Sequence, residues 1–306
     1  MGIAAYIREI GRGREGARAL TRDQANDLMG QVLDGVVTDL EVGAFCLAMR
    51  IKGETAEEMA GFLDAAQAHI SPIAAEAPAV VIPSYNGARR LPVLTALLAC
   101  LLAREGLAVM VHGTPTESAR IPSEAVFAAI GIAATRTLGR LQAGQVQFVP
   151  TEQMCPGLKR LLDVRRTVGL RNPAHSLVKL LQPVRPDALL ISSYTHPEYA
   201  RSMAATLRLT GTRALLLRGT EGEPVADARR QPQIDAFVNG IATTLVDAHS
   251  GPITELPALP EDLSATATAR YIDAVLKDQT PVPAPIAAQV RAALQALALD
   301  PTKSAP

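Results

Sequence analysis

The stretch Val80-Val81-Ile82-Pro83-Ser84-Tyr85-Asn86-Gly87-Ala88-Arg89-Arg90 marks where the chain changes architecture. Three β-branched residues run straight into a polar loop, and residues 91–105 then form an apolar stretch of helical length. Four more runs, 108–111, 146–149, 188–191 and 214–217, repeat the pattern. Each is continuously apolar rather than alternating, as expected of parallel strands covered on both faces. Residues 123–129, 155–168, 172–181 and 197–210 read as helices between them. This alternation predicts a mostly parallel sheet flanked by helices. Beyond Glu221, residues 234–239 and 244–246 read as further short elements and 264–277 as a helix. The linker 278–285 holds Pro281, Pro283 and Pro285 and must be extended, before a last helix over 286–299.

The first 70 or so residues read differently. Thr21, Thr38 and Thr55 each stand three residues before Gln24, Glu41 and Glu58, the spacing at which two side chains satisfy the orphan amides of a first helical turn. Val42, Phe45, Cys46 and Met49, then Met59, Phe62, Leu63 and Ala66, follow helical spacing and predict one buried stripe per helix. The expected division is a small helical domain over 1–72 and an α/β domain over 78–306.

With 306 residues, 48% apolar and 20% charged, the chain can bury a substantial core, which argues against disorder. Thirty bases balance thirty acids. Evenly spread, that neutrality would count against a nucleic-acid partner. The charges are not evenly spread: residues 81–220 hold 17 bases against 7 acids, a local +10 matched by −10 on the flanks. Such asymmetry points to a polyanion, and a merely solvated arginine-rich surface is the alternative. Cys46, Cys100 and Cys155 are too few and too scattered for a disulfide framework or a thiolate metal site. No signal-like segment or membrane-length apolar run occurs, so a soluble cytoplasmic protein without a membrane partner is expected.

In open α/β sheets ligands gather at the carboxyl ends of the strands. After the first run, Ser84, Tyr85, Asn86 and Gly87 offer backbone amides and polar side chains, with Arg89 and Arg90 beside them, a setting that suits a phosphate. The alternative is an ordinary turn. The second run ends in His112-Gly113, where the histidine is more simply a packing group than a base because no carboxylate partner is evident. Arg165, Arg166 and Arg171 fall within seven residues, followed by His175 and Lys179. Thr195 is a candidate cap for a helix displaying Arg201 and Arg208. Glu221 and Glu223 fit a role in capping or in screening arginines better than one in metal binding, since no adjacent Asp-Glu pair occurs.

The run Ala44-Phe45-Cys46-Leu47-Ala48-Met49-Arg50-Ile51-Lys52-Gly53-Glu54-Thr55-Ala56-Glu57-Glu58-Met59-Ala60-Gly61 resembles the N-terminal domain of anthranilate phosphoribosyltransferases and their nucleoside phosphorylase relatives. The resemblance implies a glycosyltransferase family 3 type fold and a homodimer formed largely through the helical domain. It also exposes departures. Where those enzymes carry a Gly-Thr-Gly-Gly-Asp diphosphate loop, this chain has Ser84-Tyr85-Asn86-Gly87-Ala88-Arg89. Their Lys-His-Gly-Asn-Arg becomes Val111-His112-Gly113-Thr114-Pro115. The positions of their magnesium-binding Asp-Glu pair fall on Pro224 and Val225, while an arginine that meets anthranilate is kept as Arg165. Losing those groups removes charge stabilisation on which phosphoribosyl transfer depends, so no cofactor, metal or catalytic residue is expected. The substituted motifs look like those of the YbiB-like, non-tryptophan branch of the family, which is associated with nucleic-acid binding of little sequence preference.

The resemblance therefore implies a DNA or RNA partner, single-stranded or duplex, met by Arg89, Arg90, Arg165, Arg166, Arg171, Lys179, Arg201 and Arg208. Tyr85 is expected to be exposed and able to stack on a base. Ser84, Tyr85, Asn86, Gly87, His112 and Gly113 would form a vestigial pocket, with or without a bound nucleotide. The competing reading is a phosphoribosyltransferase or nucleoside phosphorylase, which rests on the fold and on His112, Gly113 and Arg165.

Overall fold

The computed structural model describes residues 2–299, the Arg14 side chain excepted. In chain order the elements are α1 (Ala4–Ile10), α2 (Gly13–Gly16), α3 (Arg22–Asp34), α4 (Asp39–Lys52), α5 (Ala56–Ala68), β1 (Ala79–Ser84), α6 (Thr95–Arg104), β2 (Ala108–Gly113), α7 (Ser123–Ala129), β3 (Val146–Pro150), α8 (Thr151–Met154), α9 (Pro156–Val168) and α10 (Ala174–Leu177). There follow β4 (Leu189–Tyr194), α11 (Pro197–Thr210), β5 (Ala214–Arg218), β6 (Ile234–Val238), β7 (Ile241–Val246), α12 (Ala265–Leu276) and α13 (Ala284–Ala298). The fold is a small N-terminal helical domain plus an α/β domain with a mostly parallel sheet. The chain separates into two compact units, one of Met1–Ser71 with Thr151–Pro183, the other of Pro72–Pro150 with Val184–Pro306.

That division corrects the expected boundaries of 1–72 and 78–306. The helical unit also takes in α8, α9 and α10, although the βαβ rhythm places the expected helices 155–168 and 172–181 against the sheet. The reason is local to this unit. Gly157 on α9 meets the backbone of Leu33 so closely that a Cβ there would collide with its carbonyl oxygen. Arg160 of α9 then donates to the Leu33 carbonyl at 2.9 Å. The last seven residues of the expected second domain lie outside the described residues.

In the helical unit all three capping boxes form, with Thr21, Thr38 and Thr55 accepting from the amides of Gln24, Glu41 and Glu58 and the latter side chains answering in return. Phe45 and Phe62, on the predicted stripes of α4 and α5, meet edge to face at 5.9 Å with an interplanar angle of 83°. One carboxylate does more than cap. Glu58 is fully buried, accepts from the Leu20 amide, and pairs with Lys52 Nζ at 2.6 Å.

The other unit is built on a seven-stranded sheet of order β3-β2-β1-β4-β5-β6-β7. The pairs among β3, β2, β1, β4 and β5 are parallel, and β6 and β7 add antiparallel. Central strands β1 and β2 are buried along their whole length, as their unbroken apolar runs require. Leu97 of α6, Ile272 and Val275 of α12, and Ile286 and Val290 of α13 close one core with Val80, Ile82, Val109 and Val111. Arg213 is drawn inward, its guanidinium bonded to the carbonyls of Ala296 and Leu299 at 2.8 and 3.1 Å, and so leaves the pool of surface charge. All three thiols are free, and burial raises each above its ordinary value, Cys46 to about 12 and Cys100 to about 11.

Candidate functional site

The carboxyl ends of β1, β2 and β5 bring the six residues of the predicted vestigial pocket together. Ser84, Tyr85, Asn86, Gly87, His112 and Gly113 are all buried. Parallel pairing sets Pro83 opposite His112 and Ser84 opposite Gly113. Gly113 must be glycine, since any Cβ would strike the Ser84 carbonyl. The Tyr85 hydroxyl lies 2.8 Å from His112 Nδ1, with the rings nearly perpendicular at 70°. His112 therefore has a phenol as one of its partners. Tyr85 is only 5% exposed, which overturns the expectation of a base-stacking tyrosine: the sequence around it is polar, but its ring is drawn in by the histidine. Beside it lies a narrow cleft of about 10 Å³, bordered by Asn86, Thr114, Thr116, Arg120, Ser123 and Phe148.

The feature that organises this end of the sheet is a pair of carboxylates from the loop after β5. Glu223 is 2% exposed. Its Oε1 accepts from the amides of Asn86 and Gly87 at 2.7 and 2.8 Å. Its Oε2 accepts from Thr95 Oγ1 at 2.9 Å, from Ser123 Oγ at 3.1 Å, and from the Ser84 hydroxyl. No lysine or arginine among the described residues forms an ion pair with it. Glu221 reaches the next part of the same loop, its Oε2 accepting from the amides of Arg89, Arg90 and Leu91 at 2.7, 3.0 and 3.3 Å. Backbone shape makes the double reach possible: Glu221 and Gly222 adopt φ of 54° and 94° in succession. A left-handed glutamate costs about 1–3 kcal/mol and persists only where its surroundings fix it. Arg120 ties the two loops by donating to the carbonyls of Gly87 and Glu221 at 3.4 and 3.2 Å.

Of the two roles expected for Glu221 and Glu223, capping or screening arginines, both carboxylates take the first, each accepting from backbone amides of the loop after β1. Sequence reasoning missed Thr95 and Ser123. Nothing near these residues in the sequence signals the network, because Glu223 meets its partners across 100 to 139 positions.

The eight basic residues expected to contact nucleic acid divide evenly. Arg165, Arg166, Arg171 and Lys179 belong to the helical unit, and Arg89, Arg90, Arg201 and Arg208 to the sheet unit. Arg89, Arg90, Arg166, Arg201 and Arg208 are exposed, while Arg165, Arg171 and Lys179 are half-buried. Arg166 pairs with Asp163 at 3.3 Å, and Arg208 stacks over Phe237 at 5.5 Å. Helix α11 is preceded by His196 without a side-chain cap, so Thr195 does not serve as one.

Two carboxylates each ringed by donors are the reverse of a divalent cation site, which gathers several oxygen acceptors around one ion. Among the described residues no group of three or more His, Cys, Asp or Glu side chains could hold a metal. The residues present therefore do not fit the magnesium that the transferase fold implies.

With the geometry in place, the fold is that of an anthranilate phosphoribosyltransferase. The solved enzyme of Thermus thermophilus superposes with a TM-score of 0.71 at 22% identity, covering 95% of this chain and 87% of its own. That of Saccharomyces cerevisiae in complex with PRPP and Mg gives 0.68 at 15%, covering 96% and 88%. Residues 4–70 match the helical bundle domain of the glycosyl transferase family. The anthranilate phosphoribosyltransferase of Idiomarina loihiensis is 30% identical over 211 residues, 66% of this chain and 62% of that enzyme. YbiB of Escherichia coli K12 is 40% identical over 304 residues, 97% of this chain and 94% of YbiB. The chain belongs to the family of YbiB.

Proposed function

We propose that the protein binds nucleic acid with little sequence preference, on a transferase-type fold whose phosphate loop no longer faces a free site. The observation that carries this reading is the setting of Arg89 and Arg90. Their amides are fixed by Glu221, so two exposed guanidinium groups stand on an anchored loop with no carboxylate among the described residues paired to their side chains. Arg166 on the helical unit and Arg201 on α11 add exposed positive charge, within the segment that holds 17 bases against 7 acids. Arginine suits bidentate phosphate contacts, and a binder of this kind loses affinity steeply with salt. The test is fluorescence anisotropy with mixed-sequence oligonucleotides across a salt series. Binding should weaken with log salt at a slope of about −0.7 per phosphate contacted on single strands and about −0.9 on duplex. Arg89→Ala with Arg90→Ala should weaken it uniformly across sequences. A flat salt response, or unchanged affinity in that variant, rejects the reading.

A phosphoribosyltransferase is the second reading, and the likeness to anthranilate phosphoribosyltransferases in sequence and fold supports it more directly than it supports nucleic-acid binding. Incubation with phosphoribosyl diphosphate, magnesium and a panel of acceptors tests it. Turnover that disappears in His112→Ala would establish it over the first.

The same chain carries a surface for a second copy. Leu40, Leu47 and Ile51 lie on one face of α4 and are 84%, 45% and 59% exposed, with Val36 just before the helix at 62%. We propose that this stripe is the homodimer interface, since an unpartnered apolar helix face is costly in water. Leu40→Asp with Leu47→Asp should convert a dimer to a monomer in sedimentation; a wild-type monomer would remove the proposal.

A further inference from the structure

We propose that the loop over residues 84–91 is an anion receptor held shut by the chain's own carboxylates, and that removing either carboxylate opens it to phosphate. This inference stands on the sheet unit alone and is independent of nucleic-acid binding. Five donors converge on Glu223: the amides of Asn86 and Gly87 and the hydroxyls of Ser84, Thr95 and Ser123. Three further amides, those of Arg89, Arg90 and Leu91, converge on Glu221. Every one of these groups is a neutral N–H or O–H donor, and several on one short loop aim at a common negative charge. That is the donor arrangement that holds phosphate oxygens, here occupied in cis by carboxylate oxygens.

The occupant is built to stay. Gly222 allows the sharp backbone turn between the two glutamates, and its position against Asn86 leaves no room for a Cβ. The Gly219 amide donates to the Tyr194 carbonyl, and the Glu223 amide to that of Thr220, which pins the base of the loop to the strand end. A phosphate in solution would have to displace a tethered competitor at very high effective concentration. The wild-type receptor is therefore closed to it. Glu221 is the weaker half, because its donors lie at the exposed end of the loop, whereas those of Glu223 are buried.

The experiment compares wild type with Glu221→Ala and Glu223→Ala as full-length chains. Each is titrated with inorganic phosphate and inorganic diphosphate against sodium chloride of matched ionic strength, reading the thermal midpoint and the heat of binding. Wild type should respond to the phosphates no more than to chloride. Glu221→Ala should bind diphosphate at least about tenfold more tightly than wild type, about 1.4 kcal/mol in binding free energy. Glu223→Ala should melt below wild type and recover toward it as phosphate is added. Where Glu223→Ala yields no folded protein, Glu221→Ala decides the matter by itself. Equal response of wild type and the Glu221 variant, whether both bind or neither does, overturns the proposal, as does a folded Glu223 variant that phosphate does not rescue.

Discussion

Both units use glutamate carboxylates to satisfy backbone amides, but they do so over very different distances along the chain. In the helical unit Glu41 and Glu58 answer threonines three positions away, bonds that close within one helical turn, and reach no farther than 38 positions, to the amides of Ile3 and Leu20. In the sheet unit Glu223 serves amides 136 and 137 positions back. The chemistry is the same. A local cap fixes the start of one helix, whereas a long-range carboxylate holds two strand-end loops against each other and so decides what that end of the sheet can bind.

The comparison breaks most sharply if Glu223 proves dispensable. Glu223→Ala should lower stability by about 3–5 kcal/mol, because it leaves several buried donors without an acceptor. Urea denaturation followed by circular dichroism measures it, and a loss under about 1 kcal/mol would reduce Glu223 to the standing of a cap. The local counterpart is Thr21→Ala, expected to cost about 1 kcal/mol by the same assay. The smallest effect concerns His69, whose pKa is raised: burial works against the charged form, but the bonds to the Ala65 carbonyl and to Asp34 outweigh it. Since the folded state holds this proton more tightly, the stabilisation is full below the ordinary value of 6.5 and fades as pH rises through the higher folded value. For a half-buried imidazole paired with an exposed carboxylate it should amount to about 0.3 kcal/mol, seen as the loss in wild type relative to His69→Gln between about pH 5.5 and about pH 8.5. A wild-type curve parallel to the variant's would show that the Asp34 pair contributes nothing.

The same contrast explains what could be read from the sequence. Capping boxes and apolar runs are statements about neighbours three or four positions apart, so α3, α4, α5 and the five parallel strands were legible. The parallel sheet followed because two buried faces leave no polar alternation along β1 or β2. The placement of α9 was not legible, because its helical period fits a sheet-covering helix as well as one that lies on Leu33. Tyr85 looked exposed since its neighbours are polar, and only the register of β1 with β2 sets its hydroxyl beside His112. Glu223 was visible as a residue but not as a partner: no periodicity links position 223 to positions 84, 95 and 123.

The free thiols, buried at Cys46 and Cys155 and half-buried at Cys100, give the helical unit a timekeeper. Cys46 and Cys155 lie in the helical unit and Cys100 in the sheet unit, and with pKa values held far above neutrality they present almost no thiolate while folded. A maleimide that finds the buried Cys46 has therefore caught the helical unit in the act of opening, whereas the half-buried Cys100 of the sheet unit is reached without full opening. Peptide mapping of the labelled sites over time would then separate the opening of the helical unit, read at Cys46, from the faster reaction at Cys100 without any engineered probe.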